Sequence, residues 1–121
     1  MANKQISFIL EDEPVSLNEI LNSHWAVKSR RNKLLRDKVF ALAYNAGFRP
    51  AGKIKYTQVD VIIKNWRGDV DNAIGGCKGI IDALWRNDII PGDNPKECRI
   101  DYRLEKSDIK GKRVEIKLGK Q

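Results

Sequence analysis

Two stretches in the last quarter of the chain alternate with period two. Cys98, Ile100, Tyr102 and Leu104 interleave with Arg99, Asp101 and Arg103, and Val114, Ile116 and Leu118 interleave with Arg113, Glu115 and Lys117. Successive side chains of a strand point to opposite faces, so each stretch reads as a strand with one covered face and one wet face. Strands of this kind need a layer of helices on their apolar side. Lys110-Gly111-Lys112 supplies a turn between them, and the two are expected to form a hairpin.

The remaining pattern supplies the other layer. Ile6, Phe8 and Leu10 alternate with Gln5, Ser7 and Glu11, while Ile9 breaks the alternation, which predicts a first strand partly covered on both faces and ending at Glu11-Asp12-Glu13-Pro14. Ser16-Leu17-Asn18-Glu19 fits a capping box and opens a short helical turn before Asn22-Ser23-His24-Trp25. From Ala26 to Ala46, Val27, Leu34, Leu35, Val39, Leu42, Ala43 and Ala46 recur at helical spacing, and Gly47 and Pro50 give the stop. Lys53 to Lys64 is the next strand, with Ile54 and Tyr56 on one side, Val59, Val61 and Ile63 on the other, and a bulge or twist expected near Thr57-Gln58. A second helix runs from about Cys77 to Arg86, with Ile81, Leu84 and Trp85 on its buried face. The order β-α-β-α-β-β predicts one α/β (α+β) domain over residues 1–121, with helices packed on a four-stranded mixed sheet.

Charge narrows the partners. Lys and Arg outnumber Asp and Glu by 23 to 16, a net +7 that favours anionic partners, nucleic acid first. No run approaches the roughly 18 apolar residues of a spanning helix, so no membrane role is expected. The first residues lack the apolar core and cleavage site of a secretory leader, which points to the cytoplasm. Cys77 and Cys98 form no Cys-x-x-Cys pair and only one His is present, so both cysteines read as small apolar fillers. Lys28, Arg30, Arg31, Lys33, Arg36 and Lys38 lie on the polar faces of the long helix. They are expected, with Arg67, to contact DNA phosphates.

The acidic residues that look built for chemistry lie between Asn65 and Asn94. If the backbone from Arg67 to Asn72 is extended, Asp69 and Asp71 project from one face. Mg²⁺, or Mn²⁺ in its place, takes oxygen ligands and commonly uses one or two carboxylates, leaving positions for water and phosphate. Asp93, on the Pro91-Gly92-Asp93-Asn94 turn, is a candidate third carboxylate and Asp88 a reserve. Lys78 can place a positive charge at a scissile phosphate. A calcium loop of the EF-hand type is excluded, because Ala73 and Ile80 stand where oxygen ligands are required.

Taken together, Asp69-Val70-Asp71-Asn72, then Lys78-Gly79-Ile80-Ile81-Asp82-Ala83-Leu84, then Gly92-Asp93-Asn94-Pro95-Lys96 and Ile100-Asp101-Tyr102-Arg103-Leu104 resemble the RusA family of Holliday junction resolvases. The resemblance spans most of the chain and is specific mainly between Asp69 and Leu104. It implies a homodimer that binds branched double-stranded DNA and nicks four-way junctions in pairs with Mg²⁺, during recombination and repair. It implies metal binding by Asp69, Asp71 and Asp93, catalysis by those three with Lys78, and an orienting role for Asn72. Asp82 is read as a partner of Lys78 rather than a ligand. Alternatives are a DNA-binding module that does not cut, and a nuclease for other branched structures such as flaps and forks.

Two departures from the family pattern bear on geometry. Five residues, Ala73 to Cys77, separate the Asp-x-Asp-Asn motif from Lys78, where the family commonly has two. Gly75-Gly76 either forms a flexible loop that starts the helix late and aims Lys78 at the site, or lies in a helix unbroken from Asn72. In the second case Lys78 sits almost two turns from Asp71 and pairs with Asp82. The acidic turn is also reduced, with Gly92 before Asp93. His24 reads as an ordinary loop histidine and Trp25 as packing, and Trp66 either stacks on a base or is buried against the sheet.

Overall fold

Neither of the two alternating C-terminal strands pairs with the other. In the computed structural model, which describes residues 4–50 and 55–120, β1 (Ile6–Glu11) is followed by α1 (Leu17–Leu21), α2 (Trp25–Ala46) and β2 (Gln58–Lys64). Then come α3 (Val70–Gly76), α4 (Lys78–Arg86), β3 (Arg99–Glu105) and β4 (Arg113–Gly119). The sheet order is β1-β4-β2-β3, so the expected hairpin is replaced by a crossover in which β4 enters between β1 and β2, antiparallel to both. Residues 106–112 make a connection of seven, long enough to pass β2, whereas tight hairpins favour about two residues. β3 runs parallel to β2 at the edge, and its charged alternate residues suit an edge strand. The chain is therefore an α+β domain on a four-stranded mixed sheet, with the expected order of strands and main helices.

One face of the sheet carries the core. Ile6, Phe8 and Leu10 of β1, Val114, Ile116 and Leu118 of β4, and Val59, Val61 and Ile63 of β2 pack with Leu35, Val39 and Ala43 of α2 and Ile80 and Leu84 of α4. Burying a side chain of this size contributes about 1.5–3 kcal/mol each. The other face is charged, with Lys64 bound to Glu115 at 3.1 Å and Arg103 to Glu105 at 2.8 Å. Ile62 alone of the large apolar residues sits there fully buried, in register between Glu115 and Arg103. Ile9 faces this wet side and is exposed, so the strand covered on both faces is β2 and not β1.

Local chemistry accounts for the helix ends. Ser16 Oγ accepts from Glu19 N–H at 3.2 Å, the first half of the expected capping box. His24 is the N-cap of α2, its Nδ1 accepting from Ala26 N–H at 3.2 Å, a structural task for the loop histidine. Gly47 ends α2 at φ 121°, where a side chain would be strained. The buried stripe of α2 narrows to Leu35, Val39 and Ala43, while Trp25, Val27 and Leu34 are exposed. Trp85 is also exposed, its ring under Arg86, contrary to the buried face expected for it.

Lys53 and Ile54 lie outside the described residues. The β2 ladder runs unbroken from Gln58, so no bulge interrupts it, and the change of covered side between the buried Tyr56, tied to Ile89 by a 3.1 Å backbone bond, and Val59 falls in the irregular residues just before the strand. Both cysteines are free and buried, as fillers should be, and burial chiefly, with Glu13 nearby, pushes the Cys77 thiol up to about 12. Among the described residues no helix is long and apolar enough to cross a membrane.

Candidate functional site

The acidic pair sits where β2 hands over to a helix. Asn65 adopts φ 60° and Gly68 φ 121°, which turns the chain sharply after Lys64. Asp69 is still extended, but α3 begins at Val70, so Asp71 lies in a first helical turn and the period-two projection of the two carboxylates does not apply. The Trp66 indole donates from Nε1 to the Asp69 carbonyl at 3.0 Å, fixing the approach to the helix. Asp69 occupies the N-cap position, yet its carboxylate makes no cap hydrogen bond. Both aspartates are exposed and Asn72 is half-buried.

Gly75 and Gly76 prove to be helical and buried, so the flexible-loop reading is overturned. They let α3 press against α1 and the loop before it: a Cβ on Gly75 would meet the Leu17 side chain, and one on Gly76 would run into the Val15 carbonyl oxygen. Cys77 then breaks the helix, and Lys78 opens α4, exposed. Asp82 pairs with Arg86 at 2.8 Å rather than with Lys78, the favoured acid-before-base spacing of four along a helix.

Asp93 leaves from the other end of the sheet. Because β2 and β3 are parallel, the helical crossover starts beyond the last residue of β2 and must end before the first residue of β3. The bond from Tyr56 N–H to the Ile89 carbonyl places the segment before Asp93 beside the start of β2, whereas Asp69 follows its end. Asp93 is exposed on a turn in which the Asn94 Oδ1 accepts from Lys96 N–H at 2.8 Å. The Glu97 carboxylate lies over Gly92, so a side chain there would first have to displace that flexible glutamate. Asp88, the reserve, is bound to Lys55 at 2.7 Å. Among the described residues no group of three or more His, Cys, Asp or Glu is gathered to hold a metal ion.

Most of the basic helix is open. Arg30, Lys33, Arg36 and Lys38 are exposed and enter no ion pair among the described residues, and Lys28 reaches the Leu21 carbonyl at 3.5 Å. Arg31 has a structural task, binding Glu13 at 2.6 Å with both side chains largely covered. Burial raises the Glu13 carboxyl above its ordinary value, against the lowering pull of Arg31, Lys38, Lys112 and the Val15 backbone. An acid raised in the folded state contributes stability that is present at low pH and falls as pH rises through the folded value. Arg31→Ala removes the largest lowering influence. It is expected to cost about 1–3 kcal/mol at pH 7, with part of the loss recovered toward pH 5, as read by urea titrations at both values.

A cationic groove of about 1120 Å³ opens at Trp66 and Arg67, just before the acidic pair in the chain, and its basic wall escaped the sequence reading. Trp66 and Arg67 line one side and Lys106, Lys110 and Lys112 the other, with Lys112 Nζ 5.9 Å from the Trp66 ring centroid. Three lysines in seven residues were visible in the sequence, but only the fold brings them across from Trp66. No protein-family model matches this chain, and no curated protein matches it either.

Proposed function

We propose that the chain is a Mg²⁺-dependent endonuclease of the RusA type that hydrolyses phosphodiester bonds in branched DNA, four-way junctions foremost. One observation carries the reading. Among the described residues acids form seven ion pairs, but Asp69 and Asp71, two residues apart at the start of α3, are exposed and enter none, and Asp69 is tied through its carbonyl to Trp66 of a cationic groove. Two free carboxylates fit the habit of Mg²⁺ or Mn²⁺, which bind through one or two such groups and share the rest of their shell with water and phosphate. When bound, the ion supplies an activated water and neutralises charge on the phosphate.

The chain's own residues do the rest. The Trp66 bond to the Asp69 carbonyl and the close passage of Gly75 and Gly76 past Leu17 and Val15 hold the pair in place. Arg30, Lys33, Arg36 and Lys38 meet phosphates along the duplex, adding affinity that does not depend on sequence. Lys78, exposed at the head of α4 and in no ion pair among the described residues, offers a charge to the leaving oxygen. A homodimer suits the task because a four-way junction presents two equivalent strands. A cytoplasmic site of action follows from the same reading.

The position of Asp93 at the far end of β2 favours a second reading, a junction-binding protein that does not cut. Labelled four-way junctions incubated with the protein, with and without Mg²⁺, decide between them. Paired nicks that require metal support the nuclease, and tight binding with intact strands in Mg²⁺ and in Mn²⁺ leaves only the second reading.

A further inference from the structure

We infer that the groove between Trp66 and the β3–β4 loop is a docking channel for an unpaired DNA strand, separate from the duplex-facing surface of α2. The inference rests on the DNA-binding part of the function proposed above and adds where a strand freed at a branch would lie.

The loop is built rather than loose. Asn65, at φ 60°, donates from Nδ2 to the Ile109 carbonyl at 2.8 Å and to the Gly111 carbonyl at 3.0 Å, and its Oδ1 accepts from Ser107 N–H at 2.8 Å. Its own N–H donates to the Glu105 carbonyl at 3.0 Å. One side chain thus spends three bonds on holding residues 107 to 111 against the end of β2. Asp12 N–H to the Lys112 carbonyl at 3.0 Å and Arg113 Nη2 to the Lys110 carbonyl at 2.8 Å tie down the rest. The lysines of this loop therefore keep their spacing before any ligand arrives, which lowers the ordering cost of binding.

Charge and shape point to a strand. Arg67, Lys106, Lys110 and Lys112 enter no ion pair among the described residues, while of the two acids in the groove Glu105 is already bound to Arg103 at 2.8 Å. The Trp66 ring lies on the groove wall, anchored at its Nε1 by the Asp69 carbonyl, so its plane is held in one orientation. A basic groove with a fixed aromatic ring is how single strands are bound, the cations tracking phosphates while a base stacks on the ring. A paired base has its faces occupied and cannot use that ring. An entering base takes the place of Lys112 over Trp66, and the displaced ammonium is left beside the phosphate of the same nucleotide.

The test measures binding in EDTA, where no cutting occurs, by anisotropy of labelled dT20, of a 20-base-pair duplex and of rU20. Lys106→Ala with Lys110→Ala and Lys112→Ala in one chain is expected to weaken dT20 binding at least tenfold. It should flatten the slope of log K against log salt by about 2, from three phosphate contacts at roughly 0.7 each. Duplex binding should stay within twofold. Lys33→Ala with Arg36→Ala should do the reverse. Asn65→Gly keeps the left-handed backbone and all the charges but removes the clamp, and is expected to weaken dT20 binding at least threefold. An unchanged dT20 affinity and slope in the triple variant, an equal loss for the duplex, or a tenfold preference for rU20 would each overturn the inference. Melting curves confirm that the variants fold. A protein that binds dT20 as expected but never cuts junctions loses the nuclease reading alone, and one that cuts while the triple variant still binds dT20 loses this inference alone.

Discussion

Gly76→Ala is expected to lower the melting temperature by about 10 °C or more, reversing the usual sign of a glycine-to-alanine change in a helix. Alanine in a helix interior ordinarily stabilises by about 1 kcal/mol. Here the added methyl runs into the Val15 carbonyl oxygen, with the Val15 carbonyl carbon 3.0 Å and Pro14 Cβ 3.1 Å away. These are mainly backbone atoms of a loop that cannot swing aside as a side chain can, so either α3 or the β1–α1 loop must move. Overpacking of this kind costs on the order of 3 kcal/mol, and at about 3–5 °C per kcal/mol for a domain of this size the melting shift follows. Gly75→Ala is the control. Its methyl meets the Leu17 side chain, with Cδ2 at 2.7 Å and Cβ at 2.9 Å, and because no backbone carbonyl stands that close the resulting loss should be smaller, about half as large. Calorimetry on the two variants reads both effects. An alanine at 76 that melts with the parent would mean that α3 does not lie against the loop.

Asp71→Asn is expected to reduce metal-dependent cleavage of junctions by about 10²-fold or more while leaving junction binding intact. The substitution keeps the shape of the side chain and removes one of two carboxylates. An ion held more weakly there gives up several kcal/mol of charge stabilisation, and each 1.36 kcal/mol is about tenfold in rate. The change also removes a negative charge from the first turn of α3, which costs about 0.3–1 kcal/mol of stability, too little to unfold the domain. Binding in EDTA should hold or tighten slightly, since a charge that repels phosphate is gone. Asp93→Asn belongs beside it. A loss equal to that of Asp71→Asn would show that Asp93 reaches the pair from another copy of the chain, and activity retained within a few fold would leave the pair working without it.

The elements themselves could be read from the sequence because their signals are local. The β1 alternation, the Gly47 stop of α2 and the Ser16 cap depend on residues within a turn or two of each other, and each lies where expected. Strand pairing depends on distant segments, so two well-formed alternating strands in succession read as a hairpin although a third strand separates them. Gly75-Gly76 shows the same limit in another form, since the sequence left a flexible loop and a continuous helix both open. Paired glycines allow either, and only the position of Val15, some sixty residues earlier, shows that they mark a tight crossing. In the candidate site the Asp69 and Asp71 positions were legible from spacing, but the helical start that separates their directions was not. Asn65 carried no motif at all, since its part in the groove comes from where its side chain finds three backbone partners.

The central place of β4 also sets the timing of folding during synthesis. β1 is translated first of the four strands, yet among the described residues its only sheet neighbour begins at Arg113, about a hundred residues later. At roughly 5–20 residues per second, the Ile6, Phe8 and Leu10 edge waits some 5–20 seconds for its partner, a period in which other strands or a chaperone can occupy it. Slow codons ahead of Arg113 would lengthen that wait, so the yield of folded protein should depend on translation speed in the stretch just before the last strand.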